Sequence, residues 1–176
     1  MIKKITSEYV QELNLKTLNA LNSPKYDYYF LYDYNKKYLN QDFTDVIEFI
    51  SVNDINRIIG HIYVLYDKDS NVIRDAGIIK FTESFSDTRT FGVDIKEVFR
   101  IFFEDYKIEK SDWICCINNP LFKTYDKIYK SKNNSLGVNM IGPLRNHVLI
   151  NGKYEDAMII EITKEEYFKN KKIKND

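Results

Sequence analysis

The chain has 176 residues, and its 26 Lys and Arg balance 26 Asp and Glu, so the formal net charge at pH 7 is zero. A balanced chain has no overall field to collect nucleic acid or an anionic membrane, and an anionic ligand has to be held by local groups. A chain of this length can bury roughly 70% of its unfolded surface without staples, so one domain over residues 1–176 is expected.

No stretch approaches the ~20 apolar residues of a membrane span, and the opening MIKKITSEYV lacks the apolar core of a signal peptide. The two cysteines, Cys115 and Cys116, are adjacent. In a strand they point to opposite faces, which suits neither a mutual bridge nor a metal site. A cytoplasmic protein without a metal is the expectation.

In chain order, Ile2–Ile5 predicts a short strand. Thr6 or Ser7 can cap a helix carrying Val10, Leu13, Leu18 and Leu21, ended near Pro24. The Tyr- and Lys-dense stretch Lys25–Asp42 has no clear period and is read as a second helix plus loop. Val46–Val52, Arg57–Tyr66 and Val72–Thr82 are β-rich runs separated by short polar turns, which predicts an antiparallel meander. A loop over Glu83–Val93 leads into a helix from Asp94, where Ile95, Val98, Phe99, Phe102 and Tyr106 form one apolar face. Asp112–Ile117 reads as a strand, and Pro120 opens a helix that ends near Asn133-Asn134. Val138–Ile141 and Leu144–Ile150 read as strand. Asn151-Gly152 is a hairpin turn, Tyr154–Ile162 the last strand, and the tail from Lys169 a frayed end.

This order, with LRNHV, then NGKYEDAMIIEI, then KEEY near the end, resembles the GNAT superfamily, the GCN5-related N-acetyltransferases. Arg145, the turn Asn151 to Tyr154, and Glu165-Glu166-Tyr167 are similar to the branch that acetylates ribosomal-protein N-termini and related amines. The resemblance implies an α+β fold with a mostly antiparallel sheet of about seven strands, splayed between the fourth and fifth. It also implies acetyl transfer from acetyl-CoA to an amine, on a small molecule or a protein, by direct attack in a ternary complex.

The family holds the cofactor pyrophosphate on a glycine-bearing loop before the long helix, using backbone N–H groups. The resemblance places that role on Asp87 to Gly92 and the adjoining Val93, with Thr90 and Phe91 inside the loop and Arg89 as a phosphate ligand. Only Gly92 keeps the family's glycine pattern. Asp87 stands where Arg or Gln is usual, so a second reading is a non-catalytic GNAT-like module that binds a ligand or partner. The pantetheine arm would lie along the backbone of Ile79, Phe81 and Thr82, with Asn118 as a polar contact. The Asn-Pro helix start is followed by Tyr125, Asp126 and Tyr129. Asp126 occupies the usual place of the family's general-acid Tyr; Tyr125 is the first choice for that role and Tyr129 the second.

Transfer to an amine needs a proton acceptor, an oxyanion donor and a proton for the leaving thiolate. Glu48, Glu83 and Asp126 are candidate bases, and spacing singles out none of them. A lone strand histidine such as His61 reads as a surface or satisfied core group. His147, beside Arg145, reads more readily as surface than as an acceptor contact. The oligomeric state, dimer or otherwise, stays open.

Overall fold

The computed structural model describes residues 1–21, 46–119, 121–131, 134 and 136–172. The expected second helix over Lys25–Asp42, and the residue Pro120, lie outside them. Seven strands hydrogen-bond in the order β1-β2-β3-β4-β5-β7-β6. They are β1 Ile2–Lys4, β2 Val46–Val52, β3 Ile58–Asp67, β4 Val72–Lys80, β5 Lys110–Cys116, β6 Val138–Ile150 and β7 Lys153–Thr163. The helices among the described residues are α1 Ser7–Leu21, α2 Phe85–Arg100, α3 Phe122–Lys130 and α4 Lys164–Lys172, with a π-helical turn Ile101–Asp105 after α2. None of them is long and apolar enough to cross a membrane. The mixed sheet flanked by helices is the expected α+β arrangement. Two compact units make it up.

The first unit comprises Met1–Tyr66 and Ala76–Ile101. Its β2–β3 pair is fixed by the turn at Asn53. The Asn53 N–H donates to the Arg57 carbonyl, the Arg57 N–H to Asn53 Oδ1, and Asn56 takes φ 62°, a conformation Asn tolerates. That turn sets Ser51 opposite Gly60 and Glu48 opposite Tyr63. β2 is buried from Phe49 onward, as expected of a strand covered on both faces. On one face Ile50 and Val52 pack with Tyr9, Leu13 and Ile58. On the other, Ser51 Oγ donates to Asp94 Oδ2 of α2 at 2.5 Å, and the Met1 ammonium pairs with the same oxygen at 3.0 Å.

Two expectations fail in this unit. α1 buries Tyr9, Leu13, Thr17 and Ala20, and leaves Val10 and Leu18 exposed. Polar anchors clock the helix. Tyr9 Oη receives Lys3 Nζ and donates to Asn56 Oδ1, and Glu12 Oε1 receives the Ile58 N–H. The segment Glu83–Val93 is not a loop, because α2 starts at Phe85. Ser84 is its N-cap, with Oγ receiving the Asp87 N–H at 3.4 Å, and the Thr88 N–H donates to the Ser84 carbonyl at 2.9 Å. The apolar face runs back to Phe91, whose ring seats on Gly60; a Cβ there would stand 2.2 Å from Phe91 Cε2.

The second unit comprises Asp67–Asp75 and Phe102–Asp176. β4 and β5 run parallel, with Val72 opposite Lys110 and Ile73 opposite Ser111, the first residues of each strand. β5 pairs antiparallel with β7, which sets Trp113 opposite Ile160 and Cys116 opposite Ala157. Cys115 and Cys116 are free and buried, and burial pushes the Cys115 thiol up to about 12, so it stays protonated and inert. β6 runs continuously through the expected stretches Val138–Ile141 and Leu144–Ile150. Its register shifts between Ile141 and Leu144 and again between Leu144 and Val148, around a cis Gly142–Pro143 peptide. Asn151 and Gly152 take φ 49° and 77° and close the hairpin as expected. The frayed tail expected from Lys169 is instead helical through Lys172. Tyr167 anchors it, stacked on Phe103 at 4.9 Å and donating its hydroxyl to Glu104 Oε1 at 2.7 Å.

Candidate active site

Within the first unit, the candidate base Glu48 meets His61 and Tyr63 on one face of the β2–β3 pair. Residues opposite each other in an antiparallel pair share a face, and diagonal neighbours are within reach of long side chains. Glu48 faces Tyr63, and His61 lies diagonally, its Nε2 4.0 Å from Glu48 Oε2. His61 is fully buried, and the Glu48 side chain is 21% exposed. The His61 ring is tilted 41° against Tyr63, with centroids 5.6 Å apart. The Tyr63 ring lies on Gly77 of β4, where a Cβ would meet Tyr63 Cε1 at 1.9 Å.

Burial dominates the protonation of the pair. It raises Glu48 from 4.5 to about 7 and lowers His61 from 6.5 to about 4, because both charged forms lose hydration. The separation would admit an ion pair, but His61 is neutral at physiological pH and Glu48 sits near its midpoint. A carboxyl so poised suits proton transfer. Glu48 Oε1, Thr17 Oγ1 of α1 and both ring nitrogens of His61 are buried and have no hydrogen-bond partner among the described residues.

After β4, Ile79 is fully buried, and the Phe81 N–H is taken by the Ile59 carbonyl at 2.9 Å. Thr82 Oγ1 receives the Ser84 N–H at 3.1 Å, and Glu83 is exposed. Arg89, Thr90, Phe91, Gly92 and Val93 lie inside α2. Helix-interior N–H groups donate within the helix, so this backbone has no N–H groups left for a phosphate. Arg89 and Val93 are exposed, Thr90 is half-buried, and Phe91 is buried against Gly60. Gly92 is exposed with nothing within 4 Å of an added Cβ, so no close approach depends on it. The donors a helix leaves open are at its start. With Ser84 and Asp87 bonded to side chains, Phe85 and Ser86 keep N–H groups without an acceptor among the described residues. Lys80 Nζ stands beside this turn, 3.5 Å from Thr88 Oγ1. Sequence reasoning missed Lys80 and Ser84, although the Ser84-x-x-Asp87 spacing is a helix-start signature.

In the second unit, exposed Asn118 donates through Nδ2 to Glu155 Oε2. The helix start falls to buried Asn119, whose Oδ1 receives the Leu121 N–H at 2.8 Å. Tyr125 is half-buried on α3 and meets Trp113 edge-on at 5.7 Å. Tyr129 is exposed, Asp126 pairs with Lys130 at 2.8 Å, and Arg145 and His147 are exposed. Among the described residues, no three His, Cys, Asp or Glu are grouped to hold a metal ion. Sequence reasoning had no means to see the His61 and Tyr63 contacts with Glu48, since the β2–β3 register creates them.

No protein-family model matches the sequence, and no curated protein matches it. Solved structures do. The spermidine N-acetyltransferase from Vibrio cholerae, crystallised with CoA and spermine, superposes with a TM-score of 0.70 at 15% identity, covering 96% of this chain and 97% of that one. A chimera of the Vibrio cholerae enzyme with hSSAT gives 0.67 at 17% identity, covering 96% and 99%. At such identity the likeness is one of architecture, and the strand order and helices described above agree with it: the chain has the GNAT fold of the GCN5-related N-acetyltransferases.

Proposed function

We propose that the protein is an acetyl-CoA-dependent N-acetyltransferase whose acceptor is an aliphatic amine. The observation that carries this reading is Glu48, a part-buried carboxyl set by burial to about 7, with one buried oxygen that has no hydrogen-bond partner among the described residues. An alkyl ammonium with a pKa of about 10 must lose a proton before it can attack. Glu48 takes that proton with far less penalty than an ordinary glutamate. The neutral nitrogen then attacks the thioester carbon, the C–S bond breaks, and the leaving thiolate takes a proton from a hydroxyl or from water. Glu83 remains a less suitable base, being exposed. The Phe85 and Ser86 N–H groups with Lys80 are the first unit's means of holding a phosphate. Ile79, Phe81 and Thr82 are the backbone we propose for the pantetheine arm, although the Phe81 N–H is already taken by the Ile59 carbonyl.

The solved relatives are spermidine enzymes, so spermidine and spermine are the first acceptors to assay, and a peptide N-terminus of the ribosomal-protein type the second. A second reading, a non-catalytic module, draws support from the Glu83 and Asp87 carboxylates near the helix start and the absence of glycine between Thr82 and Phe91. Calorimetric titration of acetyl-CoA with a thiol-release assay decides between them. Binding, with polyamine turnover that falls at least about 100-fold in Glu48→Gln, is expected of a lost general base. No binding heat at millimolar acetyl-CoA would refute the enzyme.

A further inference from the structure

We propose that Asp94, Ser51 and the Val52 carbonyl form a socket for a free α-ammonium, and that a formyl or acetyl group on the Met1 nitrogen empties it and releases β1 from α2. In this structure the Met1 ammonium fills the socket. It donates to the Val52 carbonyl at 2.7 Å and stands 3.0 Å from Asp94 Oδ2. The same carboxylate oxygen receives Ser51 Oγ at 2.5 Å. The socket takes no part in acetyl transfer, and it acts in any chain whose α-amino nitrogen is that of Met1.

A carboxylate on the buried face of a helix is costly unless a cation and further donors meet it. Asp94 lies on that face of α2, with Phe91 and Val98 buried before and after it, and its side chain is 8% exposed. Ser51 supplies a neutral donor and Met1 the positive charge. β1 is three residues long and stands at the edge of the sheet, with Ile2 opposite Ser51. The Val52 N–H donates to the Met1 carbonyl at 3.0 Å. A strand this short makes few ladder bonds, so the anchor at its first nitrogen matters to it. Acylation of the neutral amine replaces one hydrogen with an acyl carbon. The nitrogen then keeps one N–H and carries no charge. It cannot serve both acceptors, and the buried carboxylate loses that cation, which is the costly case.

The test compares the full chain bearing a free Met1 amine with the same chain bearing Nα-formyl-Met1, made in bacteria with deformylase inhibited and verified by mass. Thermal unfolding and hydrogen exchange of the Val52 amide are followed in wild type and in Asp94→Asn. Expected in wild type are a Tm lower by at least about 5 °C on formylation and at least tenfold faster Val52 exchange. Less than half of that Tm loss is expected in Asp94→Asn. Equal Tm and equal Val52 exchange in the free and formylated chains would overturn the proposal, as would a Tm loss of the same size in Asp94→Asn. If the formylated chain or Asp94→Asn does not fold, the rate at which an amine-reactive ester acylates Met1 of wild type replaces the comparison. Acylation at least tenfold slower in the folded chain than in urea supports the socket, and equal rates overturn it.

Discussion

Replacing Glu48 by Gln should stabilise the fold, and do so only at higher pH. A carboxyl raised by burial from 4.5 to about 7 binds a proton more tightly folded than unfolded. Stability is therefore fully present below about 4.5 and is lost as pH rises through 7. At about 1.36 kcal/mol for each tenfold change, the full effect is roughly 3.4 kcal/mol. The side chain keeps 21% of its exposure, so solvent screening trims this to roughly 2–3 kcal/mol. Gln keeps the shape and removes the charge. The variant should differ little from wild type at pH 5 and be roughly 2 kcal/mol more stable at pH 8.5. Urea unfolding at both values, with unchanged m, measures the gap. A gap that stays the same at both pH values would show that Glu48 is not desolvated, and the proton-acceptor role would lose its basis.

Gly92→Ala should raise stability by up to about 1 kcal/mol, since it places Ala in an open helix interior, and should leave acetyl-CoA affinity unchanged in calorimetry. A tenfold loss of affinity would restore the glycine to the phosphate site. Gly60→Ala should cost about 1–3 kcal/mol in thermal unfolding, because its Cβ meets the buried Phe91 ring; an unchanged Tm would contradict that seat. Asp94→Asn should cost about 1–3 kcal/mol by weakening a buried acceptor of Ser51 and the Met1 ammonium, and denaturant midpoints compared with Ser51→Ala test this. Cys115 and Cys116 should react with a thiol reagent only at the rate of unfolding, and rapid labelling of the native protein would refute their burial.

The meander and the closing hairpin were legible because both are written locally. β2 matches its β-rich run residue for residue, and Asn151-Gly152 demands the positive φ that it adopts. The start of α2 was misread although its signals were present. Ser84, Asp87 and the backward extension of the apolar face to Phe91 all marked a helix, while the family pattern asked for a loop there. The face of α1 was illegible for another reason: its apolar residues are sparse, and the hydroxyl of Tyr9 and the carboxylate of Glu12 decide which side is buried. Glu48 was visible as a carboxylate in a strand. What sets its proton affinity is burial beside a residue thirteen places along the chain, and only the register reveals that.

The Glu48–His61 contact also hides itself from the commonest stability measurement. Between about pH 4.5 and 6.5 the unfolded chain carries a charged glutamate and a charged histidine, while the folded chain holds both neutral. Folding thus moves a proton from one side chain to the other and exchanges none with solvent. By linkage, the two opposing slopes cancel, and this pair leaves the wild-type stability flat with pH across that window. Each single replacement exposes the slope its partner had masked, falling with pH when Glu48 remains and rising when His61 remains. A pH-insensitive fold is therefore what two strongly perturbed groups look like from outside.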